Sequence, residues 1–537
     1  MPMKKLALRL IPVLLAFSLV CPVTGQAEGI LSLFAALISG SSQPDIPVIP
    51  YSQMEYTRPD LARLQTLLDE ACTLAQGKDA DAILAKVDEF FEAYDWFYTA
   101  SALANIRYCA DLSDGYWAEE NTFCAAAAPT AEQMVDILYA ALADSPCRRK
   151  LEQDYFGIDG LEGYGEESLW SDEMVALMER ENLLISQYYA QSNRSGSILG
   201  WFFPGWKESA QTLADLIAVR SQMAACAGYD SYEALANELY YYRDYDPEEL
   251  SDYLTAIRDT LVPLYLSAWE TVEEESDCSP QQALDFVRQA AQAMGGTVWD
   301  AFRLMEEAGL YDIEAGRNKF DSCFEVFLPS YQEPFLFLCP YGIASDQLSL
   351  AHEFGHFCND YASLGTIAGV DVCEVFSQGF EYLALRYHPE AEELTRYKMA
   401  DSLATYVEQA AYARFEQQMY LLPEPTVQDL CDLYTQVAAE YGLVDDDFSP
   451  WDFVTIPHFY SNPMYISSYI ISNDAALQLY QLEQDEPGRG LKLYQESLDT
   501  QQPYFMAFLE EAGLESPFAP GRLEAVAETF RAFFPAA

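Results

Sequence analysis

The sequence predicts a mainly α-helical protein that carries one small β-sheet. Three observations support this. Half of the 537 residues are hydrophobic and 14% are aromatic, enough to fill a large buried core. Apolar residues recur at helical spacing from about Arg58 almost to the C-terminus. Short apolar, aromatic-rich runs that read as strands occur in one stretch, residues 322–339.

Taken in order, the chain opens on Lys4, Lys5 and Arg9, followed by the apolar run "LIPVLLAFSLVCPV" and then Gly25-Gln26-Ala27. A basic start, a short apolar core and small residues at the cleavage positions predict a secretory signal over 1–27, cut after Ala27. The mature chain is then secreted or extracytoplasmic. A lipid anchor on Cys21 is not expected, because Val20 stands where a small residue is needed. "ILSLFAALI", residues 30–38, is too short to span a bilayer, so no stable membrane insertion is expected after signal removal. Residues 28–53 read as a linker that ends in the Pro- and Ser-containing "SGSSQPDIPVIPYSQ".

Residues 54–310 form an expected N-terminal helical half. In "RPDLARLQTLLDEACTLA", Leu61, Leu64, Leu67 and Leu68 share one helical face. Residues 322–339 read as a hairpin around Pro329-Ser330, and helices resume near Ser345. Residues 311–537 form the second half, with a boundary near 310 and a cleft between the halves.

With 85 acidic residues against 29 basic ones, the net charge is −56. Such a surface excludes nucleic acid, whose phosphates need Lys and Arg, and is repelled by anionic membranes. It serves solubility and leaves a weak bias toward cationic ligands. Twelve cysteines less Cys21 leave an odd number, which is no disulfide framework. Most are expected as free buried thiols. Cys109 with Cys124, and Cys323 with Cys339, are the pairs placed to bridge. Nothing in the sequence fixes an oligomeric state.

The chain has four histidines, His352, His356, His388 and His458. Two of them lie in "SDQLSLAHEFGHFCNDYA", whose Leu348, Ala351 and Phe354 mark a helix. Residues i and i+4 share a helical face, so His352 and His356 can present two imidazoles to one Zn2+. Glu353 beside them can deprotonate a zinc-bound water. Gly355 weakens the helix and suits a site where something packs closely. Glu374, in "DVCEVFSQGFEYLALRYH", is the candidate third ligand. Its rival reading is a capping box, with Asp371 as the N-cap. Glu381 shares the face of Glu374, and either Asp371 or Glu381 could orient a histidine from behind. His388, beside Pro389, reads as structural. His458 alone could be a packed histidine, and Tyr465 with Tyr469 a core stripe.

"LAHEFGH" with "EVFSQGFEYLAL" resembles the thimet oligopeptidase and oligoendopeptidase F family of zinc metallopeptidases. The shared features are Glu374, the Ser377-Gln378 pair and Glu381. "IPHFYSNPMYISSYIIS" resembles the family's late His- and Tyr-bearing segment, and "PFLFLCPYG" its substrate-pairing edge strand. The segment between His356 and Glu374 is shorter than the family's.

The resemblance implies a large multi-helix peptidase fold with a deep substrate channel and a small sheet beside the zinc helix. It implies one zinc per chain, held by His352, His356 and Glu374, with Glu353 as general base. His458 and Tyr465 would stabilise the oxyanion, Tyr469 and Tyr460 would bind substrate, and the substrates would be short unstructured peptides. A zinc carboxypeptidase of the angiotensin-converting type and a non-catalytic secreted zinc- or peptide-binding protein are the alternatives. The intact Glu353 argues against the latter.

Overall fold

The computed structural model describes residues 48–157, 160–161, 164, 171–195, 205–269, 276–365, 369–422 and 424–535. The expected signal segment and most of the linker lie outside these residues. Helices of eight or more residues are numbered in chain order. Three open the fold: α1 (Leu61–Ala75), α2 (Ala80–Ala110) and α3 (Gly115–Ala143). Each starts where an aspartate accepts backbone N–H groups that the first turn leaves without helical partners. Asp60 accepts from Arg63, Asp79 from Ala82, and Asp114 from Tyr116 and Trp117. Leu64 and Leu68 of α1, Phe90 and Tyr94 of α2, and Leu138 and Tyr139 of α3 close a core of their own.

A second, larger core takes in most of the rest, beside two small clusters, one around Tyr241, Met464 and Tyr465 and one around Met178 and Met223. Before the sheet come α4 (Asp172–Ser195), α5 (Trp206–Cys226), α6 (Pro247–Trp269), α7 (Pro280–Met294) and α8 (Gly296–Ala308). After it come α9 (Asp346–Ser363), α10 (Val370–Ala384), α11 (Ala391–Met419), α12 (Val427–Glu440) and α13 (Ile466–Asp485). Three short helices, α14 (Arg489–Ser497), α15 (Phe505–Ala512) and α16 (Arg522–Phe533), end the chain. Phe302 of α8 meets Phe354 of α9 edge-on at 5.7 Å, and Phe354 meets Phe380 of α10 at 5.0 Å. Ile257 of α6 and Val287 of α7 belong to the same core. The boundary expected near residue 310 therefore divides no core, because α6–α8 bury their apolar faces in the core that α9–α11 also fill. The change in packing falls earlier, along α2. Residues Val87–Tyr98 serve the first core, and Ala102–Cys109 serve the second.

The hairpin forms as expected, joined by a third short strand. The sheet runs β1 (Tyr311–Asp312), β3 (Glu333–Leu338), β2 (Cys323–Leu328), with β3 parallel to β1 and antiparallel to β2. β3 is thus the central strand, buried along its whole length. This corrects the reading of "PFLFLCPYG" as an edge strand: β1, too short to register in the sequence, covers its other side. The outer strand is β2. Cys339 N–H donates to Ser322 O at 2.9 Å. By antiparallel alternation, Cys323, Glu325 and Phe327 then point their backbone groups away from β3. Among the described residues no strand pairs with that side.

The turn into α9 is built around Asp346. Its buried carboxylate accepts the N–H groups of Tyr341, Gly342 and Ile343 at 3.0, 2.7 and 3.2 Å. α9 then crosses α10 at Gly355. A Cβ there would lie 2.5 Å from Phe376 O and 2.6 Å from Ser377 Cα, both backbone atoms that cannot swing aside. All eleven cysteines among the described residues are free, including both members of each pair placed to bridge.

Gly355→Ala is expected to destabilise the protein. Alanine gains about 1 kcal/mol of helix propensity, but forcing the helices apart costs about 1–3 kcal/mol and shifts His352 and His356 against Glu374. Thermal unfolding and metal content check this. A variant that melts no lower and still binds metal fully would show that the crossing tolerates a side chain.

Candidate active site

The crossing of α9 and α10 brings three donors together. His352 Nε2 lies 3.4 Å from Glu374 Oε2, and His356 Nε2 lies 3.7 Å from Glu374 Oε1. One donor atom from each of the three residues falls within 4.8 Å of the others. Tetrahedral ligands at zinc distances stand about 3.3 Å apart, so the set could hold a metal ion with modest adjustment. The chemistry agrees with the spacing. Burial holds both imidazoles well below their usual pKa, so they are neutral ligands. The same burial pushes Glu374 up to about 7 and Glu353 well above its usual value. Buried carboxyls disfavour charge unless a cation is near, and a divalent ion would supply one.

Glu381, two turns beyond Glu374, reaches the far side of His352. Its Oε1 accepts the Nδ1–H at 2.9 Å, which leaves Nε2 free for a metal. Its Oε2 meets Lys398 Nζ of α11 at 2.7 Å, and Asp401 holds the same ammonium at 3.1 Å. Burial raises the Glu381 pKa, and Lys398 pulls it back down. Ser377 Oγ donates to Glu374 Oε2 at 2.8 Å, and Gln378 Nε2 donates to Tyr469 O at 3.2 Å. The Ser-Gln pair thus fixes the carboxylate and ties α10 to α13.

Asp371 does not orient a histidine. It accepts from Tyr245 OH at 2.9 Å and pairs with Arg243 at 3.4 Å. Nor does it cap the helix: α10 starts at Val370, one residue earlier, with no side-chain cap. The capping box with Glu374 therefore does not form, and Glu374 points into the site instead. Glu353 is buried beside His352, and the thiol of Cys323 on β2 lies near its carboxyl, where it opposes the upward shift that burial causes.

Opposite the donors stands the segment 458–469. Tyr465 OH donates to Glu374 Oε1. His458 Nε2 pairs with Tyr469 OH at 3.0 Å, and burial lowers its pKa to about 3, so it stays neutral. The rings of Tyr465 and Tyr469 lie 5.1 Å apart. Tyr460 faces the other way. It stacks on Tyr188 at 3.6 Å and donates to Ser209 O at 3.1 Å, so its place is in the core and not in the site. The short helical turn at 458–461 sends residues 458 and 460 in different directions. His388 accepts the Glu390 N–H at 3.0 Å and packs edge-on against Phe286 at 5.2 Å, away from the donors. Lys398 escaped sequence reasoning, and Cys323 was singled out only as a candidate for a bridge. Ser377 was marked by the family resemblance, three residues after Glu374.

The family model of the peptidase M3 N-terminal domain matches residues 51–158, the stretch that holds α1–α3. An oligoendopeptidase F homolog of Borreliella burgdorferi is 29% identical over 156 residues, which are 25% of this chain and 26% of that relative. The match thus spans about a quarter of the relative's length. Among solved structures, PZ peptidase A with an inhibitor superposes with a TM-score of 0.79 at 19% identity, covering 90% of this chain and 99% of that one. An M32 carboxypeptidase of Deinococcus radiodurans gives 0.55 at 15% identity, covering 88% and 100%. The structural likenesses are ones of fold. Together the findings support the resemblance to the M3/oligoendopeptidase F family of peptidases.

Glu381→Gln is expected to weaken metal binding about 10- to 100-fold, because an amide orients His352 less firmly than a carboxylate. Glu374→Ala should lose more, since it removes a donor. Competition with a chromogenic chelator measures both. Unchanged affinity in Glu381→Gln would show that His352 needs no support from behind.

Proposed function

We propose that the protein is a zinc-dependent endopeptidase that hydrolyses short, unstructured peptides. One observation carries this reading: Glu374 faces both imidazoles, while Glu353 sits alongside and a His-Tyr-Tyr group stands opposite. A metal ion bound by His352, His356 and Glu374 supplies Lewis acidity to the scissile carbonyl and to a water. Glu353, its pKa raised by burial, is suited to take a proton from the attacking water and pass it to the leaving amine. Tyr465 and Tyr469 keep their hydroxyl protons, because burial raises both well above the usual tyrosine range. They can therefore donate to the developing oxyanion, with neutral His458 steadying Tyr469.

The outer edge of β2 supports backbone recognition of an extended substrate. Among the described residues no strand pairs with that side of β2, whose first residue, Cys323, lies near Glu353. Pairing of this kind gives affinity with little side-chain readout, so broad sequence tolerance is expected. Restriction to short peptides rests on the channel that the family resemblance implies. Export rests on the signal pattern of residues 1–27. The fold likeness to a carboxypeptidase favours release of C-terminal residues as the second reading, though that superposition is the weaker one.

Glu353→Gln is expected to keep its metal and lose about 100-fold or more in kcat, since an amide cannot accept the proton. Metal analysis alongside peptide hydrolysis tests this, and full turnover in the variant would remove Glu353 as the base. A length series of one peptide sequence, run beside a folded and an unfolded protein with products read by mass spectrometry, tests the substrate class. Internal cuts in short peptides are expected. Efficient cutting of the folded protein would overturn the channel, and removal of C-terminal residues alone would establish the second reading.

A further inference from the structure

Tyr465 is delivered to the site by a backbone turn that a residue with a Cβ adopts only when its surroundings impose it. Met464, just before it, has φ 70. The backbone on either side of this turn is held. The C=O of Met464 accepts Arg243 Nη2 at 2.8 Å. The preceding carbonyl, of Pro463, accepts Tyr241 OH at 2.7 Å.

The Arg243 guanidinium is buried and committed on every side. Beyond Met464 O, it reaches Ser468 Oγ at 3.0 Å in the first turn of α13 and Asn237 Oδ1 at 2.8 Å. It also pairs with Asp371 at 3.4 Å in the first turn of α10. One planar fork therefore ties the helix that carries Glu374 to the turn that carries Tyr465. A lysine could not reproduce this, since its single ammonium cannot reach the same spread of acceptors.

We propose that Arg243, assisted by Tyr241, is a positioning residue for Tyr465. By fixing the left-handed turn at Met464, it sets the distance between the Tyr465 hydroxyl and Glu374. It lies behind the turn and acts only through it. This inference rests on the reading of Tyr465 as an oxyanion donor. It adds that the donor is aimed from the segment between α5 and α6, outside the catalytic motifs.

The test is a double-mutant cycle on the metal-loaded enzyme with one defined peptide. The variants are Arg243→Lys, Tyr465→Phe and their combination, with Tyr241→Phe as a milder probe that keeps the buried charge. Metal content and thermal midpoint are measured for each. Tyr465→Phe is expected to lower kcat about 100-fold, and Arg243→Lys about 10-fold with KM and metal content nearly unchanged. The double variant should match Tyr465→Phe within about twofold, because a donor already lost cannot be misplaced further. Tyr241→Phe should lower kcat about threefold, and it decides the matter if Arg243→Lys fails to fold. Losses that multiply in the double variant, or full kcat in both Arg243→Lys and Tyr241→Phe, overturn the inference while leaving the role of Tyr465 intact. Full kcat in Tyr465→Phe would instead remove the reading of Tyr465 and the inference with it.

Discussion

The contact of two helix backbones at Gly355 is the constraint on which the site depends. Phe376 O and Ser377 Cα occupy the space where a methyl group would stand. At that separation, side chains one turn either side of the crossing meet directly. His352 and His356 flank Gly355 on α9, and Glu374 and Glu381 flank Ser377 on α10. The two spacings are complementary. A four-residue step sets both imidazoles on one face. A seven-residue step lets one carboxylate meet the imidazoles from the front while the other reaches the back of His352.

The electrostatics follow from how deeply this crossing is buried. Glu353, Glu374 and Glu381 lie out of solvent within one small region, and among the described residues Lys398 is the one lysine or arginine that pairs with any of them. Burial alone would protonate such a set and keep the histidines neutral, which is the direction in which each of these groups moves. The arrangement makes sense as a cradle for positive charge. Neutral imidazoles have lone pairs to give, and the carboxyls regain their ionised form once a cation stands among them.

Local signals made much of this legible in the sequence. The helical periodicity, the hairpin at 322–339 and the convergence of His352, His356 and Glu374 all arise from residues near one another in the chain, where period and spacing are informative. Gly355 likewise sits at a close approach, as its place inside a helix suggested. What was not legible depends on long-range packing. β1 spans Tyr311–Asp312, too short for any periodicity, yet it turns β3 from an edge into the central strand. Asp371 carried the same local pattern as a helix cap, but Arg243, far away in the chain, claims it. Tyr460 sits between two residues of a site-bearing segment, and only the turn there shows that it faces the core. Lys398 gave no signal, since a buried lysine cannot be told from a solvated one by sequence.

One continuous helix, α2, takes part in both apolar cores. Its first half packs with α1 and α3, and its last turns pack beneath the sheet and the larger helical body. No flexible joint separates the two regions along this element. Melting the N-terminal bundle would fray α2 and strip cover from Leu103 and Ile106 in the larger core, so the two regions are bound into one cooperative folding unit. The same rod also restricts how the bundle can move. A shift of the bundle about α2 must bend a 31-residue helix or be carried along it. Its far end is tied to the loop before β2 by Phe320 N–H, which donates to Cys109 O at 2.7 Å. A bundle tied in this way has one stiff lever running from its own core to the approach of β2, the strand whose first residue, Cys323, lies near Glu353.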